Sequence, residues 1–255
     1  MNKIEYTFAR KPAFIAYLTA GQRSLAFTQD AAIALVQGGV SLLEIGVPFS
    51  DPIADGPVIQ SAMQQGVEAN ITINTVLEVI QNIKKTIDVP IILFTYYNPL
   101  LNAANNNIYE KARVAGVDGV LVVDLPLEEA DDHFNQCKQY NISPISVIAS
   151  STAVDRIQRI GQKSSGFLYY ACRNGTTGIK RSLPDNYQDK VQQIKQCSHL
   201  PVAAGFGISD KKTAAAALSC ADGFVVGSLF IKAIAARATT KELTQLAQQI
   251  DPRGT

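Results

Sequence analysis

Eight short apolar runs punctuate the chain, at 14–18, 42–46, 91–95, 119–123, 144–148, 166–170, 201–205 and 222–226. None alternates apolar with polar residues along its length, as a strand wetted on one face would. Near-continuous hydrophobicity instead marks strands buried on both faces. The segments between them carry helical periodicity. Residues 29–37 hold Ala32, Ile33, Leu35 and Val36 and stop at Gly38-Gly39, a C-terminal signal. Residues 74–85 place Val76, Val79, Ile80 and Ile83 on one stripe. Thr152-Ala153-Val154-Asp155 reads as a capping box for a helix that buries Ile157 and Ile160 and ends at Gly161. Ser209 is placed to cap a helix running through Ala214 to Leu218, and Leu243, Leu246 and Ile250 mark a last one.

Eight buried strands alternating with helices allow a closed (β/α)8 barrel or an open doubly wound sheet. The first strand is not followed by G-x-G-x-x-G, and no linker or composition break divides the chain. An internal echo favours the barrel. Ala115-Gly116-Val117-Asp118-Gly119-Val120-Leu121-Val122-Val123-Asp124 and Cys220-Ala221-Asp222-Gly223-Phe224-Val225-Val226-Gly227 share one pattern, a tight helix-to-strand turn and a strand ending in a polar or glycine residue, and Gly38-Gly39-Val40-Ser41-Leu42-Leu43-Glu44 is a looser third copy. The expected fold is α/β: a single (β/α)8 TIM barrel over 1–255, with an extra N-terminal segment and a short helix after strand 8. In such a barrel chemistry collects on the loops after the C-terminal strand ends. The longest intervals follow the second and sixth strands, where extra chain costs entropy to order and is often functional.

Composition narrows the function class. The 23 Lys and Arg nearly balance the 22 Asp and Glu, for a net charge of +1, which argues against a polybasic nucleic-acid or membrane surface. No apolar run is long enough to span a bilayer, and Met1-Asn2-Lys3-Ile4-Glu5-Tyr6 lacks a secretory-signal profile, so a cytoplasmic location is expected. Cys137, Cys172, Cys197 and Cys220 form no C-x-x-C pair, and the two histidines, His133 and His199, lie far apart. Neither a disulfide framework nor a metal site is expected.

Glu44 interrupts the otherwise apolar second strand. Burying a carboxylate costs several kcal/mol or raises its pKa, so it is either a tied structural group or a tuned acid/base; a place near a barrel mouth favours the second. Asp55 lies in a loop stiffened by Pro48, Pro52 and Pro57. Paired carboxylates in different environments can divide acid and base roles, while Asp51 and Asp55 can equally form Asx-turns. Gly205-Phe206-Gly207-Ile208-Ser209 follows strand 7 and Gly227-Ser228 follows strand 8, with a short helix starting at Leu229. Backbone amides there suit a phosphate. Ala171-Cys172-Arg173-Asn174-Gly175-Thr176-Thr177-Gly178-Ile179-Lys180 after strand 6 reads as a mobile lid. Tyr17, Phe94, Tyr96, Tyr169 and Phe206 lie near strand ends and could line a pocket for a flat apolar group. No lysine falls in a strand, which leaves a Schiff-base aldolase without its amine.

Leu43-Glu44-Ile45-Gly46-Val47-Pro48-Phe49-Ser50-Asp51-Pro52-Ile53-Ala54-Asp55-Gly56-Pro57 resembles the signature of the tryptophan synthase alpha chain family. Tyr96-Tyr97-Asn98-Pro99, Asp124-Leu125-Pro126, the segment from Arg173 to Gly178, Gly205-Phe206-Gly207-Ile208 and Gly227-Ser228 resemble its other motifs, in order. The resemblance implies a reversible retro-aldol cleavage of indole-3-glycerol phosphate to indole and glyceraldehyde 3-phosphate. It implies that Glu44 moves protons and that Asp55 binds the indole N–H. It places Tyr169 near the reacting centre and makes Thr177 the lid residue that orients Asp55. Gly178, Gly207, Gly227 and Ser228 would hold phosphate, and Tyr17, Phe94, Tyr96 and Phe206 would surround indole. It implies no cofactor in this chain and a partner β chain that uses pyridoxal phosphate, in an α2β2 heterotetramer, touched by Asp51 and Pro52. A stand-alone indole-releasing lyase, and a chain kept mainly to activate its partner, are the competing readings.

Overall fold

The computed structural model describes residues 2–103, 107–172, 183–205 and 207–254. Eight parallel strands, β1 Ala13–Thr19, β2 Leu42–Gly46, β3 Ile91–Thr95, β4 Gly119–Val122, β5 Ser143–Ala149, β6 Leu168–Ala171, β7 Val202–Gly205 and β8 Gly223–Val226, pair in sequence order and close into a barrel. Closure is made by β1 against β8, with Ala13 opposite Gly223 and Ala16 opposite Val226. The helices are α1 Lys3–Arg10, α2 Leu25–Gln37, α3 Pro57–Glu68, α4 Ile73–Lys84, α5 Tyr97–Ala103, α6 Ile108–Ala115, α7 Asp131–Gln139, α8 Val154–Lys163, α9 Tyr187–Cys197, α10 Lys211–Ala217, α11 Ser228–Ala235 and α12 Thr240–Ile250. Among the described residues no helix is long and apolar enough to cross a membrane.

Strand alternation sorts the apolar residues into two layers. Phe14, Ala16, Leu43, Ile45, Leu93, Val120, Ala204 and Phe224 share a core with Ala31, Leu35, Val76, Ile80 and Ala214 of the outer helices. Ile15, Tyr17, Leu42, Ile92, Phe94, Leu121, Ile145, Ala203 and Val225 form the interior, joined by Ile4 of α1, Ile59, Ala62 and Met63 of α3, and Ile231 of α11. The extra N-terminal segment is therefore a plug. α1 opens on a capping box between Asn2 and Glu5, and it packs Phe8 at a tilt against Phe167, 5.3 Å between ring centres.

The sequence echo has one physical cause, at the N-terminal rim. Phe14 N–H, second in β1, donates to Ser41 Oγ (2.9 Å); Ile91 N–H, opening β3, donates to Asp118 Oδ2 (2.9 Å); and Val202 N–H, opening β7, donates to Asp222 Oδ2 (2.9 Å). Each side chain precedes an even strand and ties it to an odd neighbour. Lys84 and Lys195 neutralise the two aspartates at 2.6 and 2.7 Å.

Several boundaries depart from expectation. α8 runs through Gly161 to Lys163 because that glycine is a contact and not a stop: a Cβ there would lie 2.7 Å from Ser198 Oγ. Thr152 does not cap α8; its Oγ1 accepts Ala149 N–H (3.0 Å) at the end of β5. α10 is capped by Asp210 rather than Ser209, since the Asp210 carboxylate reaches Thr213 N–H (2.7 Å), and it ends at Ala217. β6 begins at Leu168 because Gly166 holds a left-handed φ of +81°. The long interval after β2 is not all loop. It contains α3, whose Ile59, Ala62, Met63 and Gly66 occupy the i, i+3, i+4, i+7 positions of a buried stripe behind Pro57.

All four cysteines are unbridged. His133, on α7, is buried beside Tyr109 Oη (2.9 Å from Nδ1), and burial lowers its pKa to about 4. Among the described residues no His, Cys, Asp and Glu side chains group as a metal site would.

Candidate active site

Because all strands run parallel, their C-terminal ends share one rim, and those predicted site residues that the structure describes gather toward it. Glu44 lies in β2 in register with Tyr17 of β1 and Ile92 of β3, so its side chain faces the interior. It is only 1% exposed, and among the described residues its Oε1 has no hydrogen-bond partner. Burial alone raises its pKa from 4.5 to about 8. A structural carboxylate tied to an amide or a lysine would show neither feature.

Asp55 is 2% exposed and hangs from the loop between β2 and α3. The loop is fixed by backbone bonds from Ile53 N–H to Asp51 carbonyl (2.8 Å) and from Asp55 N–H to Pro52 carbonyl (3.0 Å). Gln60 Nε2 then holds the Asp55 carbonyl at 2.9 Å. The Asp55 carboxylate accepts from Tyr96 Oη at 2.8 Å. Burial raises its pKa and the Tyr96 hydroxyl partly opposes this, leaving it at about 6. The two carboxyls therefore differ in proton affinity, and at neutral pH Glu44 is protonated while Asp55 is ionised.

Tyrosines enclose the pair. Tyr17 packs edge-on against Phe94, 5.1 Å between centres, and its hydroxyl shares a hydrogen bond with Thr19 Oγ1 (3.1 Å). Burial pushes the Tyr17 and Tyr169 phenols well above their ordinary range, and the charges of both Glu44 and Asp55 add to the rise in each. Both tyrosines therefore lie within the field of both carboxylates. Gly46 and Gly205 make room for these rings: a Cβ would stand 2.3 Å from Tyr17 Oη at the first and 2.2 Å from Tyr169 Oη at the second. Tyr96 is buried, stacks on Phe49 (5.1 Å), and its hydroxyl also accepts Ala54 N–H (3.1 Å).

Gly227 is the N-cap of α11 and Ser228 its first residue, and a Cβ on Gly227 would touch Tyr17 Cβ at 3.4 Å. The free amides of that helix thus begin beside the tyrosine wall, on the same rim as the carboxylates. Gly207 follows β7 two residues on from its end. Asp51 is exposed and Pro52 half-buried, with the neighbouring Ile53 side chain 75% exposed. Phe206, Thr177 and Gly178, with the rest of 173–182, lie outside the described residues.

Sequence reasoning missed Phe49 and Thr19, which touch the tyrosine wall, and it gave Tyr96 no hydrogen bond to Asp55. Phe49 sat inside the motif already singled out. The Tyr96 bond joins residues 41 positions apart, and only the closed barrel brings them together.

The tryptophan synthase alpha chain family profile matches residues 5–253. A tryptophan synthase alpha chain of Coxiella burnetii is 50% identical over 252 residues, covering 99% of this chain and 98% of that protein. One from Chlamydia felis is 40% identical over 257 residues, covering 99% of this chain and all of that one. Among solved structures, tryptophan synthase of Mycobacterium tuberculosis superposes with a TM-score of 0.91 at 26% identity, covering 98% of this chain and 96% of its own. The alpha chain of Legionella pneumophila gives 0.86 at 32% identity, covering 100% and 99%. With its closed barrel, its full-length match and two buried carboxyls at one rim, the chain belongs to the tryptophan synthase alpha chain family.

Proposed function

We propose that Glu44 and Asp55 divide the chemistry of the family's reaction, cleavage of indole-3-glycerol phosphate to indole and glyceraldehyde 3-phosphate, with the chain acting as one domain over 1–255. The observation that carries this reading is the pair of buried carboxyls whose proton affinities differ, near 8 and near 6, at one barrel mouth. Protonated Glu44 delivers its proton to indole C3. The ring becomes a cationic indolenine, which the ionised Asp55 carboxylate steadies at the ring N–H. The bond between C3 and C3′ then breaks, and its electron pair returns to the ring. Glu44, now ionised, takes the proton of the C3′ hydroxyl as the aldehyde forms. Atoms balance, and Glu44 ends protonated as it began.

Tyr17, Phe94 and Tyr169 wall the indole, and Tyr96 orients Asp55 from behind; the resemblance adds Phe206 to the wall and Thr177 to the orientation of Asp55. Gly207, Gly227 and Ser228 hold the phosphate by backbone amides, with Gly178 added on the same ground. The chain itself needs no cofactor. Its partner is a β chain carrying pyridoxal phosphate, in an α2β2 assembly, which receives the indole. The loop of exposed Asp51, half-buried Pro52 and exposed Ile53 suits that contact, because it leads directly into Asp55 and can couple docking to the carboxylate.

The test is indole release by the purified chain, with and without the β chain. Glu44→Gln lowers kcat by about 10²- to 10⁴-fold while KM stays within severalfold. Asp55→Asn also cripples kcat, because a neutral amide cannot offset the ring charge. A Glu44→Gln chain of near-normal kcat, or an Asp55→Asn chain altered in KM alone, refutes the assignment.

A further inference from the structure

The Asp124-Leu125-Pro126 motif has no part in the reaction as derived above, yet its first residue reaches toward the site. Tyr97 N–H donates to Asp124 Oδ1 at 2.7 Å. On the opposite edge of the same peptide unit, the Tyr96 carbonyl accepts from Thr95 Oγ1 at 2.9 Å. A peptide unit is planar, so a plane held at both its oxygen and its N–H fixes ψ of the residue before it and φ of the residue after. The residue before it is Tyr96, whose hydroxyl donates to Asp55 Oδ2. One anchor is buried, and the backbone leading into the other, which is exposed, is tied down. Thr95 is fully buried at the end of β3, and Val123 N–H donates to the Thr95 carbonyl (3.0 Å), zipping β3 to the chain that leads into Asp124.

We infer that Asp124 and Thr95 are positioning residues for the reaction: they clamp the peptide plane between Tyr96 and Tyr97 and so aim the Tyr96 hydroxyl at the Asp55 carboxylate. Neither touches Asp55 directly. The inference rests on the reading of Asp55 given above. Because the Tyr96 phenol stands at the far end of a long side chain, a small turn of this plane is magnified at Asp55. Misplacement by about 1 Å costs a reaction about 100-fold, so partial release of one clamp is expected to cost about tenfold.

The test uses steady-state indole release by the full chain, each variant first checked for a wild-type circular dichroism spectrum. Asp124→Ala lowers kcat about tenfold with KM changed less than about threefold. The acid limb of its pH profile moves upward, as it does in Tyr96→Phe, because Asp55 loses the hydroxyl that favours its ionised form. Asp124→Asn keeps an oxygen acceptor for Tyr97 N–H and restores kcat to within about twofold. In a Tyr96→Phe background, adding Asp124→Ala changes kcat by less than about twofold, since its only route to Asp55 is already cut. A loss of equal size in both backgrounds shows a merely structural residue and overturns the inference, as does an Asp124→Ala chain with unchanged kcat and acid limb. If Asp124→Ala fails to fold, Thr95→Val in the same two backgrounds decides between these outcomes by the same criteria. Asp55→Asn separates the two levels. Full turnover in that variant sinks the reading of the site and this inference with it, whereas an inactive Asp55→Asn beside fully active clamp variants sinks the clamp alone.

Discussion

Glu44 destabilises the folded chain at neutral pH, and the cost can be read out by Glu44→Gln. The carboxyl is 1% exposed, lacks a partner for Oε1 among the described residues, and has its pKa raised from 4.5 to about 8. Below pH 4.5 both the folded and the unfolded chain hold the proton, and the group contributes no pH dependence. Between 4.5 and 8 the unfolded chain releases it while the folded chain keeps it, so wild-type stability falls as pH rises. Above 8 both are ionised and the penalty is constant. Each tenfold difference in proton affinity is worth about 1.4 kcal/mol, which makes the full penalty on the order of 5 kcal/mol and the penalty at pH 7 about 3 kcal/mol. The amide of Glu44→Gln does not titrate, so the variant escapes the slope; any fixed cost of burying an amide shifts its curve without tilting it. Asp55 titrates in both chains and cancels from the comparison. Scanning calorimetry at half-unit steps from pH 5 to 9 should therefore show the variant's Tm gaining on wild type as pH rises, by roughly 6 to 12 °C at pH 7. A Tm difference independent of pH, or one that shrinks as pH rises, refutes the claim that Glu44 is buried without a compensating partner.

Two further outcomes follow from the same geometry. The kcat/KM profile for indole release should be bell-shaped, falling below about 6 as Asp55 is neutralised and above about 8 as Glu44 loses the proton it must deliver; an acid limb near 6 that survives in Asp55→Asn contradicts the Asp55 assignment. Gly205→Ala should raise KM about tenfold or more with little change in Tm, since the new methyl meets the movable end of Tyr169, 2.2 Å from its hydroxyl, and pushes the ring into the cavity; unchanged KM would show that the ring has room elsewhere.

Much of this was legible in the sequence because the barrel writes its layers into composition. Strands buried on both faces gave eight apolar runs, and only residues at their ends shifted, where turns such as that at Gly166 set the boundary. Glu44 stood out because a carboxylate in such a run has no bland neighbour to excuse it. What stayed hidden depends on distance in sequence or on local competition for one donor. Asp210 took the cap expected of Ser209 because its carboxylate reaches Thr213 N–H. Gly161 read as a stop because sequence cannot show Ser198 pressed against it. α3 is a different case: its stripe was present in the sequence at full helical spacing, and the proline-rich loop before it masked it.

The two rims of the barrel show why such a site can persist. At the N-terminal rim the polar side chains of the echo are matched: Ser41, Asp118 and Asp222 each accept an N–H at the start of a strand, from Phe14, Ile91 and Val202, and the two aspartates each meet a lysine. At the C-terminal rim, among the described residues, Glu44 leaves an oxygen unmatched and the Asp55 carboxylate accepts from the Tyr96 phenol. The same strands carry both sets, so cohesion gathered at one end holds in place a costly arrangement at the other. A carboxyl satisfied by amides or a lysine would favour its ionised form and hold less of the proton at neutral pH. On the proposed role of Glu44, an oxygen left unmatched among the described residues suits a proton donor, and it is tolerated because it is carried on β2, between β1 and β3, where Ser41 and Asp118 secure the far end of the ladder.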